Sequence, residues 1–242
     1  MVSERACCSA GHTEVGKVRE HNEDAFLDCP AQGLWVVADG MGGYERGAMA
    51  SQLIVTSLAD LPVTLSLDER VKAVRQCLHW INRRLSQELT VTEGHSERIM
   101  GSTVVALMLE GSRAACIWAG DSRCYLWRER RLYQLSRDHS LQQQLIEQQQ
   151  MSAEQASAHP SANALTQAVG ARAQLTLDML EFTVYPGDTL LLCSDGLYQA
   201  LGCETLGSAL SRSTPHMALQ RLFEAALCGS AQDNLTAVVI RR

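Results

Sequence analysis

Short unbroken apolar runs punctuate this chain. They occur at Leu34-Trp35-Val36-Val37-Ala38, Ala115-Cys116-Ile117-Trp118-Ala119, Leu190-Leu191-Leu192-Cys193 and Leu235-Thr236-Ala237-Val238-Val239-Ile240. Runs this short, closed off by turn-forming residues, predict strands buried on both faces. Residues 10–40 read as strands and a loop. Residues 103–109, 114–119 and 124–128 predict three strands with turns between them. Residues 175–184 and 189–193 predict two more, and 235–240 the last. Other stretches follow the helical period. Ala48, Leu53, Ile54, Leu58 and Leu61 place a helix over 45–60. Ser66-Leu67-Asp68-Glu69 fits a capping box and opens a long helix to about residue 89, with Val71, Val74, Leu78, Ile81 and Leu85 on its apolar face. The glutamine-rich stretch 142–150 has a low-complexity look, yet Leu141, Leu145 and Ile146 space it as a helix with a polar face. Residues 152–164 are small and polar, are interrupted by Pro160, and predict a mobile surface segment. Thr214-Pro215 supplies a cap and a first-turn proline for a helix to about residue 228. No linker or repeat divides the chain, so one domain over 1–242 is expected. Two strand blocks separated by helices predict an α+β layering of sheets with helices outside, rather than a βαβ parallel sheet.

The strand ends change the picture. Asp39 follows the run ending at Ala38 and precedes Gly40-Met41-Gly42-Gly43, and Asp121 follows Ala119-Gly120. Asp195 follows Cys193-Ser194, and Asp233 with Asn234 leads into the last run. Carboxylates fixed at the rim of a sheet repel one another unless cations neutralise them. Hard oxygen donors favour magnesium or manganese. The chain therefore reads as a metal-dependent enzyme.

Composition narrows the classes. A net charge of −6 offers no general attraction for nucleic acid or anionic membranes. No segment approaches the roughly 20 apolar residues of a membrane span, and Met1-Val2-Ser3-Glu4-Arg5 lacks the apolar core of a signal peptide. The nine cysteines form no Cys-x-x-Cys pair, which argues against a zinc ribbon or redox motif. Their odd count favours reduced thiols in the cytoplasm. Cys116 and Cys193 sit inside apolar runs and are expected in the core. No cysteine has a local setting that fits a nucleophile.

The stretch Gly16-Lys17-Val18-Arg19-Glu20-His21-Asn22-Glu23-Asp24-Ala25-Phe26 is followed by Ala38-Asp39-Gly40-Met41-Gly42-Gly43, Gly101-Ser102-Thr103, Gly120-Asp121-Ser122-Arg123, Ser194-Asp195-Gly196-Leu197 and Asp233-Asn234-Leu235-Thr236. Asp-Gly alone marks many ordinary turns. In this order the pieces resemble the PPM family, the type 2C metal-dependent serine/threonine phosphatases, from about Thr13 to the last strand.

The resemblance implies a four-layer α-β-β-α sandwich with two central, mostly antiparallel sheets. It implies two core manganese or magnesium ions. Asp39 would bridge them, the Gly40 carbonyl would bind one, and Asp195 and Asp233 would complete the set. Glu23 and Asp24 would act largely through waters. Two such ions can polarise a phosphoryl group and make a shared water acidic. Arg19 would bind the substrate phosphate, since a guanidinium presents paired donors to phosphate oxygens. Asp121, with Asp195, would hold a third, weaker ion. Its plainer alternative is to close a hairpin turn and pair with Arg123. Asn22 and Asn234 read as supporting turn residues. Ser122 and Ser194 have no histidine partner that would make them nucleophiles. Met41 stands where many eukaryotic members carry histidine, and a thioether cannot donate a proton. That leaves His21 or His139 as alternatives to solvent or an ion's water. Residues 139–168 match the position of the family's flap in bacterial relatives.

The expected partners are phosphorylated proteins, among them a bacterial eukaryotic-like Ser/Thr kinase and its targets, approached by a cytoplasmic monomer. Rival readings are a phosphoprotein-binding pseudophosphatase, a two-metal nuclease and a small-molecule phosphatase. The first would lack the bridging carboxylates. The second would need a basic tracking surface, against which stand 21 Lys+Arg and 27 Asp+Glu. The third could use the same centre.

Overall fold

The computed structural model of the chain describes residues 7–43, 45–62, 66–89 and 100–242. The Met1–Arg5 stretch lies outside them. Two antiparallel sheets form the centre. The first orders β1 (Cys8–Glu14), β11 (Leu235–Arg241), β10 (Thr189–Cys193), β7 (Arg123–Arg128) and β8 (Arg131–Gln134). The second orders β2 (Asp24–Cys29), β3 (Leu34–Met41), β5 (Val104–Glu110), β6 (Arg113–Ala119) and β9 (Asp178–Thr183), with the short β4 (Gly101–Ser102) paired to the end of β3.

The apolar runs are continuous because each strand is covered on both sides, and side chains alternate between the two faces. Trp35, Val37, Val105, Leu107, Leu190, Leu192, Val238 and Ile240 fill the space between the sheets. Leu34, Val36 and Ala38 point the other way, onto α1 (Glu45–Ala59) and α2 (Leu67–Arg83). Leu191, Cys193 and Val239 point onto α6 (Cys203–Leu210) and α7 (Pro215–Cys228). The result is the four-layer α-β-β-α sandwich.

Local signals act as their chemistry predicts. The Ser66–Glu69 capping box is present at the start of α2. Its predicted stripe packs with Val74, Leu78, Ile81 and Leu85 fully buried and Val71 at the margin, and a π-helical turn over Arg84–Leu89 extends the helix. Thr214 caps α7 and Pro215 opens it. The stripe of α1 is rotated from the predicted one: Gly47, Ala50, Ser51, Ile54, Val55 and Leu58 are buried, and Ala48 is not. Strands β4 and β8 and helices α5 (Asp195–Ala200) and α6 escaped the sequence reading. The expected strand over 175–184 shortens to β9. The 139–168 region holds α3 (Leu141–Gln149) and α4 (Ala153–Ser157). Ser152 builds a capping box for α4, and Leu141 and Gln142 donate to the carbonyls of Ala164 and Ala162. The 152–164 stretch lies at the surface as its composition predicts, exposed except at Ala156 and Ala162, and these hydrogen bonds organise it.

Candidate active site

One end of both sheets gathers the marked carboxylates. Asp39 is near the end of β3, and Asp121 stands between β6 and β7. Asp195 is the first residue of α5, immediately beyond β10, and Asp233 precedes β11. A cavity of about 320 Å³ is lined by Arg19, Glu23, Asp39, Gly40, Asp121, Asp195 and Asp233, with Asn163 and Leu165 reaching in from the 139–168 region. Asp24 lies behind this wall. It faces Asp39 directly across the β2–β3 ladder and accepts a hydrogen bond from Ser194 Oγ at 2.7 Å.

The backbone around Asp39 is fixed by the Gly101-Ser102-Thr103 stretch. Thr103 N and Ser102 Oγ both donate to the Asp39 carbonyl, at 2.8 and 2.9 Å. Asp39 N donates to Thr103 Oγ1, which shares a 2.7 Å hydrogen bond with buried Ser122 Oγ beside Asp121. Gly40 is required by packing. A Cβ there would overlap the carbonyl of Gly47 at the start of α1, and Gly40 N donates to Glu23 O at 3.1 Å. Ser51 Oγ donates to the same Glu23 carbonyl at 2.6 Å, so β2, β3 and α1 meet at one oxygen. Gly47 in turn leaves the space that the Glu23 carboxylate occupies. Asn234 anchors the incoming loop: its Oδ1 accepts from Glu23 N, and its Nδ2 donates to Val15 O and His21 O.

The electrostatics are those of crowded like charges. Burial, then Asp24, Asp195, Asp121 and Asp233, push the Asp39 carboxyl well above the ordinary carboxylate range. Burial pushes Asp24 to about 7, against the pull of hydrogen bonds from Thr236 and Ser194. Asp121, 8 % exposed, also rises to about 7, through burial and then Asp195 and Asp138. Asp195 is raised by burial and by Asp233. Its side chain shares a hydrogen bond with Asp39 and accepts one from Gln199 Nε2 at 2.8 Å.

Arg19 is the cation at this rim. Its Nε and Nη2 fork onto both oxygens of Asp233 at 2.8 Å, which raises its pKa further. The predicted phosphate clamp and a predicted cation ligand thus hold each other. Among the described residues no group of three or more His, Cys, Asp or Glu side chains is already disposed as a ligand shell. The donor set nonetheless fits hard divalent cations. It is all oxygen, partly buried and strongly self-repelling, and dispersing that repulsion is what bound cations would do.

Several sequence expectations change here. Asp121 does not pair with Arg123. Arg123 instead grips Asp138 through Nη2–Oδ2 at 2.6 Å and Nε–Oδ1 at 2.9 Å, and lies 3.6 Å over the Tyr198 ring. Tyr198 Oη donates to the Asp121 carbonyl at 3.1 Å, so this group positions the aspartate through its backbone. Asp138 and Tyr198 were missed because no local pattern marks them. His139 is structural: Nδ1 accepts from Gly120 N at 3.2 Å and Nε2 stands 3.2 Å from Asp178. His21 lines the cavity. All nine cysteines are free, and Cys116 and Cys193 are buried as expected.

The protein phosphatase 2C family model matches residues 12–237. The chain belongs to the protein phosphatase 2C family. It is 34% identical over 238 residues to the serine/threonine protein phosphatase PstP of Mycobacterium tuberculosis, covering 95% of this chain and 44% of PstP. The chain therefore spans less than half the length of that relative. It is 32% identical to the serine/threonine phosphatase stp of Listeria monocytogenes, covering 95% of this chain and 94% of that protein. Among solved structures, PppA, described as a key regulatory component of T6SS in Pseudomonas aeruginosa, superposes with a TM-score of 0.89 at 44% identity and 97% coverage of both chains. The catalytic domain of PstP in complex with two manganese ions superposes with a TM-score of 0.81 at 32% identity, also over 97% of both. The type 2C fold predicted from the ordered motifs is the observed one. No described helix is long and apolar enough to cross a membrane.

Proposed function

We propose that this type 2C family member hydrolyses phosphoserine and phosphothreonine in proteins, as a single domain dependent on divalent cations. The observation that carries the reading is the convergence of Glu23, Asp39, Asp121, Asp195 and Asp233 beside one exposed arginine in one cavity. Asp39, Gly40, Asp195 and Asp233, with Glu23 beside them and Asp24 behind, would hold two manganese or magnesium ions. Such ions neutralise the carboxylates, polarise the phosphoryl oxygens and lower the pKa of a water.

The chain's own residues do the rest. Arg19 turns its fork from Asp233 to the phosphate, where two parallel donors match two oxygens. A wider cleft of about 770 Å³ adjoins it, lined in part by Val18, Glu20, Gln199 and Gln232, and gives the peptide around the phosphorylated residue a place to lie. Met41 cannot protonate the leaving oxygen, and His139 is held by Gly120 and Asp178; His21 is the histidine within the cavity wall. Residues 139–168 act as the flap over this site. Asp121 with Asp195 would hold a third, weaker ion. Asp121→Ala should then keep two tightly bound ions and lose the low-affinity phase of manganese activation.

The retained carboxylates support an enzyme over a pseudophosphatase. The likeness to PppA, described as a regulatory component, and to the serine/threonine protein phosphatase PstP supports phosphorylated proteins as substrates. An opposing Ser/Thr kinase, a cytoplasmic location and a monomeric working unit are further parts of the proposal. The test is turnover of a phosphothreonine peptide and of a panel of small phosphate esters, before and after chelation. The expected result is loss of peptide turnover on chelation and recovery with manganese. Full turnover by thoroughly stripped protein would overturn the mechanism, and preference for a small ester would overturn the substrate class.

A further inference from the structure

A second cleft, of about 870 Å³, opens at the opposite end of the first sheet. It is lined where β7 and β8 meet in a hairpin, where β10 begins and where β11 ends. From Thr189 in its wall to Asp195 is about 20 Å at the rise of a strand. Its floor is apolar: half-buried Trp127 and Leu132 stand directly opposite each other in the β7–β8 ladder, backed by the buried Leu210 of α6. Its rim is cationic. Arg130, Arg131 and Arg241 line it, against one acidic residue, Glu204.

The arginines of this hairpin differ in partnership. Arg123 is neutralised by Asp138 and Arg128 by Asp188, each at 2.6 Å. Arg130 and Arg131 are exposed and have no acidic partner among the described residues. Arg241 donates to the backbone carbonyl of Arg212, which leaves its charge in place. The hairpin tip carries a second signal. Glu129 and Arg130 both have positive φ, 50° and 63°, in the two-residue turn between Arg128 and Arg131. Such turns favour asparagine and glycine. Two long charged side chains there work against the backbone preference and set Arg130 on the rim of the cleft.

We infer that this cleft docks an acidic, extended segment of a protein partner, with carboxylates on the arginine rim and an apolar side chain on the Trp127–Leu132 floor. Charge complementarity selects the occupant: the chain as a whole is at −6, and the cleft concentrates unneutralised guanidinium against that background. An apolar floor suits a polypeptide better than a nucleic acid backbone. For the phosphatase reading, on which only the kinetic consequence rests, the cleft is a remote anchor that raises the effective concentration of the phosphorylated residue at the carboxylate cavity.

The test uses the full chain and a fluorescein-labelled peptide alternating glutamate and leucine. Its anisotropy should saturate, weaken with salt, and weaken at least about tenfold with Arg130→Glu plus Arg131→Glu. Asp39→Asn should bind it as the parent does, which separates this site from the carboxylate cavity. A second arm compares a phosphothreonine peptide with and without that acidic tail, joined by roughly ten residues, which reach up to about 33–36 Å extended. The tail should lower KM about tenfold, and the arginine variant should lose that gain while turning over p-nitrophenyl phosphate normally, which also shows that it folds. Equal peptide binding by parent and arginine variant would overturn the proposal, as would single-stranded DNA displacing the peptide at equal concentration. If neither phosphopeptide is hydrolysed while the binding arm behaves as stated, the phosphatase reading fails and the docking site stands.

Discussion

Stripping divalent cations should make this protein less stable as pH rises from 5 to 8. Asp121 is 8 % exposed, and burial and neighbouring acids hold its carboxyl neutral to about 7. In the unfolded chain it ionises near 3.9. Between those values the folded state keeps a proton that the unfolded state has released, so each pH unit removes about 1.4 kcal/mol of stability. A carboxyl raised in this way stabilises the fold below about pH 4, and that contribution is gone once pH passes about 7. Across the whole window the loss from this one group is on the order of 4 kcal/mol, an upper figure because water penetration relaxes buried charge. The part of this window inside the assay, from pH 5 to about 7, is on the order of 3 kcal/mol, a fall in Tm of roughly 5–10 °C for a chain of this size. Asp24 rises to about 7 for the same first reason, burial, but it interacts with Asp195 and Asp233, so its share is not simply added. The assay is calorimetric Tm from pH 5 to 8 in excess chelator, for the parent and for Asp121→Asn. The parent should lose stability as pH rises, and the variant should lose distinctly less. Manganese should raise Tm at pH 8 and do little at pH 5, where protons compete for the same oxygens. A chelated parent whose Tm stays level or climbs with pH would refute the account of crowded carboxylates.

Other outcomes follow from individual contacts. Asp39→Asn and Asp195→Asn should each lower kcat on a phosphothreonine peptide by more than about 100-fold while leaving the chelated protein at least as stable as the parent, measured by steady-state kinetics and calorimetry. Arg19→Ala should act mainly on KM, raising it about 10- to 100-fold, the worth of a charge-assisted forked bond; an unchanged KM would remove Arg19 from phosphate binding. Asp138→Asn leaves the Arg123 guanidinium poorly paired in surroundings where the two side chains are 23% and 13% exposed, and should cost about 2 kcal/mol, below the range for fully buried pairs. Asp68→Asn, which breaks the exposed pair with Arg113, serves as the control and should leave Tm unchanged.

The sandwich was legible in the chain because its strands are buried on both faces and so appear as unbroken apolar runs. Helix starts were legible where caps announced them, at Ser66 and Thr214. The carboxylates were legible because each borders such a run. What could not be read lacked a local mark. Strand β8 is short and edge-lying, and three of its four residues are polar or exposed. Helix α5 begins at Asp195, where the pattern showed only a strand ending, and it is six residues long. The Arg19–Asp233 fork joins residues 214 positions apart, and the Arg123–Asp138 grip depends on the segment after β8 returning to the start of β7. Such pairings are decided by topology, and periodicity carries no information about which strand edges meet. The alternative of an Asp121–Arg123 pair failed for that reason: the nearer acid in sequence is not the nearer acid in space.

The junction at the Glu23 carbonyl has a consequence for anyone reading mutational tolerance. A saturation scan of this chain should place Gly47 among its most intolerant positions, level with the aspartates, although Gly47 has no side chain and takes part in no chemistry. Any Cβ there must displace the Glu23 carboxylate or the backbone at Gly40. Intolerance would therefore spread from the reacting groups into a helix start through plain exclusion of volume. A map of essential positions, taken without coordinates, would draw the catalytic boundary one layer too wide.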